Sequence, residues 1–395
     1  MKILVFNCGS STLKFQLIGT SVASSQDDKL ARGVVERIGG TSLIHFEAVG
    51  EPAEQNTAAV ADHAAAVGRA VEWLNSYPKL RDFDAVGHRL VHGGDQFVAS
   101  VRIDEDVLAA LESLCKIAPL HNPAGVSGIR AARSLLGTAM PMVAAFDTSF
   151  HLTLPEHASV YAIPHELAAR HHIRRYGFHG LAHQYSALRY RQLTGTPQEG
   201  VKIVTLHLGN GCSACAIDGG HSVDTSMGLT PLEGLIMGTR SGDLDPGLVS
   251  YLAHEENVGS MEVESWLNKR SGLLGLSGLS SDMRQLVSAY ETNPRARLAV
   301  DAFCYRCRKY LGAYLAVLGG ARAVIFSGGI GENVPFIRER ICAGMEWCGL
   351  TLDRVSNSSI VGVEGCISRP ESVIQCYVIP SDEEALIARA TARLV

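Results

Sequence analysis

The chain has 395 residues, of which 46% are hydrophobic and 19% are charged, and its net charge is −5 at pH 7. This composition supplies enough apolar surface for about two globular domains. The negative net charge excludes a general basic surface for nucleic acid. The sequence contains no run of about 18 uncharged apolar residues, so no membrane span is predicted. We therefore expect neither nucleic acid nor a membrane as a partner. Because the start, Met1–Asn7, turns polar too soon for a signal peptide, we expect a cytoplasmic protein.

In the N-terminal part, short apolar runs alternate with polar turns that contain glycine. Ile3–Phe6 and Leu13–Ile18 predict a β-hairpin around the polar turn at residues 7–11. Asn122-Pro123 predicts a helix start, because asparagine caps helices and proline fits their first turn. The other predicted elements are the strands Leu43–Val49, Ala85–Val91 and Met142–Phe146, the last of which delivers Asp147, and the helices Ala58–Leu74 and 122–136.

From Lys202 the same order of elements begins again. Lys202–Gly209 resembles Lys2–Gly9, since each is a predicted strand that runs into a turn containing glycine. We interpret this order as a duplicated α/β domain, with a ligand cleft expected between the two copies. The later predicted elements are the strands Cys212–Ile217, Ala323–Phe326 and Val373–Ile379, the helix Ala302–Leu318, and a helix from Asp382, where Ser381 and Glu384 have capping-box spacing.

Three polar turns that contain glycine follow predicted strands, at Asn7–Ser11, His207–Gly211 and Ser327–Asn333. Such turns can present backbone N–H groups to phosphate oxygens. One of them is weak evidence, but three in a duplicated fold favour a nucleotide site. The sequence contains neither a Gly-Lys dipeptide nor Gly-x-Gly-x-x-Gly, so a Walker A loop and a Rossmann fingerprint are excluded.

Two arginines and one histidine are candidates for contact with anions. Arg240 lies in the segment Met227–Pro246, rich in glycine, where it either meets phosphoryl charge or is an exposed loop residue. Arg89 ends a strand between apolar residues, and its expected carboxylate partner is either an internal acid or a bound substrate. His179 is either a hydrogen-bond donor to a ligand or a structural histidine.

The ten cysteines include two pairs with the spacing of zinc ligands, Cys212/Cys215 and Cys304/Cys307. The first pair lies in a predicted strand, where residues three apart face opposite ways, and the second lies within a predicted helix. We therefore favour reduced, buried thiols over a structural zinc site.

Together these segments resemble the acetate kinase family. Asn7–Phe15 resembles its first signature, with Cys8 in place of the usual alanine, and Met227–Pro246 resembles its second. Pro380–Glu384 resembles its closing block, with serine and aspartate at 381 and 382 in place of the commoner threonine and asparagine. The resemblance covers nearly the whole chain, because further blocks follow in the family's order at Gly87–Gly94, Phe146–Pro155, Arg174–His179, His207–Ser213, Ser280–Arg284 and Ser327–Asn333.

The resemblance implies an α/β protein with the duplicated, two-domain ribonuclease H-like or actin-like fold of acetate and sugar kinases, hsp70 and actin. The first domain would comprise residues 1–149 with a C-terminal helix returning at 382–395. The second, residues 150–381, would bind nucleotide and carry a homodimer interface. ATP would lie in the interdomain cleft, and the enzyme would require Mg²⁺, for which Mn²⁺ can substitute.

The implied reaction is reversible, direct in-line transfer of the ATP γ-phosphoryl group to acetate, giving acetyl phosphate and ADP. Carried over by resemblance, Arg89 would bind acetate, and Arg240 and His179 would stabilise the phosphoryl group in transit. Asp147 matches the family's acid/base residue, but we expect it mainly to position metal, water or arginine, because a carboxylate nucleophile is already ionised near neutral pH.

The same resemblance supplies the remaining ligand contacts. Mg²⁺ would be held by Asn7 and Glu383, and a small apolar acetate pocket would be formed by Val91, Leu120, Phe178 and Pro231. ATP would be bound by Lys14, His207, Leu208, Gly209, Asn210, Gly211, Asp282, Met283, Arg284, Gly329, Ile330, Gly331, Glu332 and Asn333.

Valine at position 91 favours acetate over propionate, although one methylene changes binding by only ~1–3 kcal/mol. The alternatives are therefore a propionate or butyrate kinase with the same mechanism and, from other classes, an actin-like ATPase switch or a structural zinc protein.

Overall fold

A computed structural model describes residues 1–9, 11–21, 27–116, 118 and 122–395. The chain divides into two compact units. The first unit comprises Met1–Phe150 and Asp382–Val395, and the second comprises His151–Ser381.

Within the described residues, the sheet of the first unit contains eight strands. They are β1 (Lys2–Cys8), β2 (Thr12–Gly19), β3 (Asp28–Glu36), β4 (Gly40–Ala48), β5 (Glu54–Val60), β6 (Ala85–Leu90), β7 (Val101–Arg102) and β8 (Met142–Phe146). Their order is β5-β4-β3-β2-β1-β6-β8-β7. Strand β1 is antiparallel to β2 and parallel to β6, which in turn is parallel to β8.

Aromatic packing and a close helix hold this sheet in place. Phe15, Phe46 and Trp73 form a cluster with ring centroids 5.2–6.0 Å apart. On β6, Gly87 leaves room for the C-terminal helix, because a Cβ there would lie 2.6 Å from Ile387 Cγ2. The helices of this unit are α1 (His63–Asn75), α2 (Glu105–Ser113), α3 (Asn122–Leu136) and the C-terminal helix (Glu383–Leu394).

The second unit has its own sheet, with six strands among the described residues. They are β9 (Lys202–Leu208), β10 (Cys212–Asp218), β11 (His221–Thr225), β12 (Ala323–Ser327), β13 (Gly365–Cys366) and β14 (Gln375–Val378). Their order is β11-β10-β9-β12-β14-β13. Strand β9 is antiparallel to β10 and parallel to β12, which is parallel to β14.

The helices of the second unit vary widely in length. In the part of the chain that the structure describes, no helix is both long and apolar enough to cross a membrane. The helices are α4 (Glu156–Ser159), α5 (His165–Arg170), α6 (Gly180–Thr194), α7 (Gly247–Glu255), α8 (Ser260–Lys269), α9 (Gly272–Ser277), α10 (Met283–Ser288), α11 (Pro294–Leu318), α12 (Gly328–Asn333), α13 (Pro335–Cys342) and α14 (Arg354–Ser359).

The two sheets share one central arrangement. In each, a strand pairs antiparallel with its successor on one side and parallel with a later strand on the other: β1 with β2 and β6, and β9 with β10 and β12. The predicted duplicated α/β fold is thereby confirmed.

Most predicted elements are confirmed, with three corrections. The helix predicted from Ala58 is wrong at its start, because residues 58–60 end β5 and the Asp62 side chain accepts a hydrogen bond from Ala65 N at 2.8 Å. The capping box at Ser381 is also wrong. Asp382 caps the C-terminal helix instead, accepting from Ala385 N at 3.2 Å. The predicted helix Ala302–Leu318 begins earlier, at Pro294.

The packing of β3 predicts a sharp response to one added methyl group. A Cβ at Gly33 would lie 2.4 Å from both Phe15 Cε1 and Phe46 Cδ1. We expect Gly33→Ala to lower the free energy of unfolding by ~1–3 kcal/mol through overpacking. In the matched control Gly40→Ala, on the neighbouring strand, the methyl group meets no atom within 4 Å. Urea denaturation should separate the two variants, and equal stabilities would contradict this packing.

Candidate functional site

In the first unit, three parallel strands bring polar side chains to one edge of the sheet. Asn7 on β1 and Arg89 on β6 are register partners. Asp147 follows directly after β8, whose last residue, Phe146, pairs with Leu90. The sequence predicted these three residues at strand ends, and the parallel register brings them together.

Each of the three nitrogens of the Arg89 guanidinium donates to a protein group. Its Nε donates to Asp147 Oδ1 at 2.8 Å, and its Nη2 donates to Asp147 Oδ2, so the pair is bidentate. Nη1 donates to Asn7 Oδ1 at 2.9 Å, and Nε lies 3.3 Å from Glu383 Oε2. The carboxylate partner predicted for Arg89 was either an internal acid or a bound substrate, and in the structure an internal acid, Asp147, occupies this position.

Charges in this cluster shift two pKa values. Burial alone lowers the pKa of Arg89, but the negative charges of Asp147 and Glu383 outweigh it and raise the pKa above its ordinary value. Burial is the largest cause that raises the pKa of Glu383, to about 7, and Asp147 and Glu384 raise it further against the opposing charge of Arg89. The negative charges of Asp147, Glu383 and Glu384 are thus not fully offset by the positive charges of Arg89 and Lys14.

The predicted metal residues belong to this cluster, and their chemistry suits Mg²⁺. Asn7 and Glu383 would each ligate a metal through a side-chain oxygen. Glu384 adds another carboxylate, and its Oε1 accepts from Asn7 Nδ2 at 3.3 Å. Mg²⁺ prefers such oxygen ligands and usually needs only one or two carboxylates beside water and phosphate. The excess negative charge favours a divalent cation here, although no group of three His, Cys, Asp or Glu side chains among the described residues is arranged around one point.

In the second unit, histidines and hydroxyl groups form a hydrogen-bonded network. Ser213 Oγ lies 2.9 Å from His179 Nδ1 and 2.8 Å from His183 Nε2. His207 Nδ1 lies 3.1 Å from Ser327 Oγ, and its ring centroid is 4.8 Å from that of His179. Burial lowers the pKa of His183 well below its ordinary value, so this ring is neutral. His179 precedes α6 with a φ of 55°, a left-handed conformation that is costly for a residue with a side chain.

Arg240 differs from Arg89 in its surroundings. Its Nη1 donates to Pro231 O at 2.6 Å, and within the described residues no carboxylate forms an ion pair with it. Burial lowers its pKa. Its Nη2 and the His179 ring both border Gly211, where a Cβ would lie 2.7 Å from Nη2 and 3.2 Å from His179 Cε1. This half-buried cation therefore lies beside a glycine turn, and no acidic side chain that the structure describes is paired with it.

The turn between β9 and β10 is tightly constrained. Gly209 N donates to Gly211 O at 3.0 Å, and Gly238 N donates to Asn210 O at 2.9 Å. A Cβ at Gly238 would lie 2.0 Å from Asn210 Oδ1. The segment that carries Arg240 thus packs directly on this turn, and among the predicted nucleotide residues His207–Gly211 lie together with His179 and Arg240.

The turn after β12 is arranged differently from what its glycines suggested. Gly328 N donates to Glu332 Oε1 at 2.7 Å, so the first N–H group of α12 is already bound by a carboxylate. Behind this helix the fully buried Arg338 donates to Gly331 O and Glu332 O, each at 2.9 Å, and burial lowers its pKa to about 10. No local pattern indicated this arginine, because its acceptors are backbone carbonyl oxygens and the side-chain oxygen of Asn357, which lies 19 positions away in the sequence.

The other predicted nucleotide residues fall in two places. Asp282 caps α10, and with Arg284 it lines an open cavity of about 600 Å³ in the second unit. Lys14 lies in the first unit, where it is the register partner of Asn7 and its charge acts on Glu383. Lys14 therefore lies near the acidic cluster, and its predicted contact with ATP stays a prediction.

The predicted acetate pocket stays a prediction. Val91 follows β6 in the first unit, whereas Phe178 and Pro231 belong to the second. Phe178 is buried, and its carbonyl oxygen lies 3.0 Å from His151 Nε2. Leu120 lies outside the described residues.

The cysteines with zinc-like spacing are buried thiols, as predicted. Cys212, Cys215, Cys304 and Cys307 are all buried, and burial raises the pKa of Cys212 and of Cys304 to about 12. All ten cysteines lie in the described residues and are free of disulfide bonds.

Three comparisons place the whole chain among known proteins. The model of the Acetokinase family matches residues 2–389. The acetate kinase of Solibacter usitatus (strain Ellin6076) is 53% identical over 407 aligned positions, covering 100% of this chain and 98% of that protein. The crystal structure of Porphyromonas gingivalis acetate kinase is 40% identical with a TM-score of 0.91, covering 100% and 99% of the two chains. A propionate kinase from Francisella tularensis subsp. tularensis SCHU S4 is 37% identical with a TM-score of 0.91, covering 100% of both chains.

The raised pKa of Glu383 predicts a pH-dependent stability. Because its folded pKa lies above that of the unfolded chain, its stabilising contribution is present below about pH 4.5 and is lost as pH rises through about 7. In metal-free buffer, the free energy of unfolding of Glu383→Gln minus that of the unmodified protein should therefore be larger at pH 8 than at pH 5. The increase should be at most ~3 kcal/mol. Urea denaturation at both pH values measures the change, and a difference independent of pH would contradict it.

Proposed function

The chain belongs to the acetokinase family, and from this premise we propose that it catalyses reversible transfer of the γ-phosphoryl group of ATP to acetate, giving acetyl phosphate and ADP. The observation that carries the chemical part of the proposal is the Arg240 guanidinium. It is desolvated, it borders the turn at Gly211 and the ring of His179, and it has no ion pair in the described residues. Such a cation is suited to the charge of a phosphoryl group in transit.

The mechanism is direct in-line displacement, in which an acetate oxygen attacks the γ-phosphorus and ADP leaves. Acetate is ionised at neutral pH, so no general base is needed. Asp147 then acts as a positioning residue, because both of its oxygens already accept from Arg89. Arg240 and His179 stabilise the transferring group, with His179 oriented through Ser213.

The acidic cluster of the first unit serves acetate and metal. Arg89 is assigned to the acetate carboxylate, with Asp147 and Asn7 fixing its orientation. Mg²⁺, when bound through Asn7 and Glu383, supplies positive charge for the phosphate oxygens. The raised pKa of Glu383 means that protons compete with the metal for this carboxylate near neutral pH.

Nucleotide binding is assigned to the second unit. His207–Gly211 would bind phosphates, and Asp282–Arg284 with Gly329–Asn333 would bind the rest of ATP. The open cavity lined by Asp282 and Arg284 supports the latter assignment. The two units would be the two domains of the actin-like fold, residues 1–149 with 382–395 and residues 150–381.

Acetate is preferred over propionate as the physiological acceptor. The named relatives at 45–53% identity are acetate kinases, whereas the propionate kinase is 37% identical. Val91 supports the same choice only weakly, because a methylene in an apolar pocket is worth ~1–3 kcal/mol. Some activity with propionate is therefore expected.

We also propose a homodimer that works in the cytoplasm. The apolar helix α7 has no buried residue, and its Leu248 and Tyr251 are exposed, as expected of a helix covered by a second copy. The ten free cysteines fit a reducing compartment.

A parallel assay with three acids tests the function. Incubation with Mg-ATP and acetate, propionate or butyrate, with hydroxylamine to trap the acyl phosphate, should give the highest kcat/KM with acetate. A best rate with a longer acid would move the substrate assignment to that acid. ATP binding without any acyl phosphate would contradict the proposal and favour an ATPase switch.

Substitution of Arg240 and of Arg89 by alanine should change different kinetic constants. Arg240→Ala should lower kcat by roughly 10²–10³-fold with little change in the acetate KM, because its contact strengthens mainly in the transition state. Arg89→Ala should chiefly raise the acetate KM. Steady-state kinetics over a range of acetate concentrations separates the two effects. A near-normal kcat in Arg240→Ala, or an unchanged acetate KM in Arg89→Ala, would contradict the respective role.

A further inference from the structure

Glu233 lies within the segment that carries Arg240, and the protein holds both of its carboxylate oxygens. Oε1 accepts from Arg175 Nη2 at 2.7 Å, and Oε2 accepts from the Tyr161 hydroxyl group. The Arg175 guanidinium also lies 5.7 Å from the centroid of the Tyr161 ring. The side chains of Arg175 and Glu233 are 18% and 31% exposed, so the ion pair is partly desolvated. We call Tyr161, Arg175 and Glu233 the Glu233 cluster.

The Glu233 cluster fixes the backbone of the neighbouring loop. Arg175 Nη1 donates to three consecutive carbonyl oxygens, those of Thr225, Ser226 and Met227, at 3.1–3.3 Å. The Tyr161 hydroxyl oxygen accepts from Leu229 N at 2.9 Å. Loop residues 225–229 are therefore held through the same two side chains that bind Glu233.

This loop also sets the position of both groups assigned to the phosphoryl charge. Gly228 O accepts from Tyr176 N at 3.1 Å and from Gly177 N at 3.2 Å, just before His179. Further along, Pro231 O accepts from Arg240 Nη1 at 2.6 Å. A shift of the loop would therefore displace His179 and Arg240 together.

The contact between Glu233 and the loop leaves no spare room. A Cβ at Gly228 would lie 1.8 Å from Glu233 Oε2 and 2.0 Å from the Tyr161 hydroxyl oxygen. The carboxylate therefore lies directly against the backbone that it stabilises. A carboxylate accepts from both donors, whereas an amide would keep only one of these hydrogen bonds and present an N–H group to the other donor.

We propose that Glu233 is a positioning residue for phosphoryl transfer, which through Arg175 and Tyr161 holds the loop that places His179 and Arg240. This inference rests on the roles proposed above for these two residues. Among the described residues, the Glu233 side chain is bonded to Arg175 and Tyr161 and not to His179 or Arg240, so its effect passes through the backbone at Gly228 and Pro231. Misplacement of catalytic groups by about 1 Å can cost on the order of 10²-fold in rate.

The first measurement compares Glu233→Ala with a matched ion-pair variant. Glu364 forms a bidentate pair with Arg189, at 2.6 and 2.9 Å, and the two side chains are 29% and 35% exposed. Glu233→Ala should lower kcat roughly 10- to 100-fold with little change in the KM for Mg-ATP or acetate. Glu364→Ala should lower the Tm similarly and leave kcat unchanged. Equal kcat values for the two variants would overturn the inference.

A double-mutant cycle then separates positioning from stability. In an Arg240→Ala background, Glu233→Ala should lower kcat much less than in the unmodified enzyme, because part of what it positions is already absent. The same fold loss in both backgrounds would overturn the inference. If Glu233→Ala does not fold, Tyr161→Phe, which removes one hydroxyl group, replaces it in the same cycle.

The same kinetic data distinguish a failure of this inference from a failure of the proposed function. A normal kcat in Arg240→Ala would overturn both. A large loss in Arg240→Ala, with a normal kcat in Glu233→Ala, would overturn the role of Glu233 alone. Partial activity in Glu233→Gln, between the unmodified enzyme and Glu233→Ala, supports positioning by hydrogen bonds, and activity no higher than that of Glu233→Ala would contradict it.

Discussion

The positive charge of Arg240 has no carboxylate paired with it in the part of the chain that the structure describes, and the proposed chemistry depends on this charge. The Arg240 guanidinium is desolvated, and among the described residues its recorded acceptor is the carbonyl oxygen of Pro231. Arg89 is the opposite case, since Asp147 binds it on two nitrogens. A desolvated, unpaired charge costs free energy until an anion binds. At Arg240 the protein therefore bears a free-energy cost that a bound phosphoryl group would offset. Arg89 is already stabilised by Asp147, so an acetate ion there would share the guanidinium with that carboxylate.

Duplication explains why both units carry polar groups at corresponding positions. Asn7 on β1 pairs with Arg89 on β6, and His207 on β9 pairs with Ser327 on β12. In the first copy, burial and the neighbouring carboxylates of Asp147 and Glu384 raise the pKa of Glu383, and this acidic site suits a divalent cation. The second has histidine rings and hydroxyl groups near Arg240, which suits phosphate oxygens. One backbone arrangement thus supports two different chemistries.

The sequence predicted what local patterns determine and missed what long-range contacts determine. The predicted bounds of α3, residues 122–136, are confirmed, but the Asn122 side chain binds the backbone of His92 instead of capping the helix. Strand β5 was missed because most of its side chains are exposed and show no apolar alternation. Residue types at the strand ends were predicted, but the pairing of Arg89 with Asp147 spans 58 positions and follows from strand register. The Glu233 cluster joins three separate segments, so no spacing in the sequence indicated it.

The most direct test of the central claim is the binding of nitrate, a planar anion that resembles a phosphoryl group in transit, in the presence of Mg-ADP and acetate. Transition-state mimics bind more tightly than ground-state ligands when the site is complementary to the transferring group. Calorimetry should show that nitrate binds tightly to the unmodified enzyme and that Arg240→Ala loses this binding while it keeps its affinity for Mg-ADP. Equal nitrate affinity in the two proteins would contradict the claim that the unpaired charge of Arg240 serves the transferring phosphoryl group.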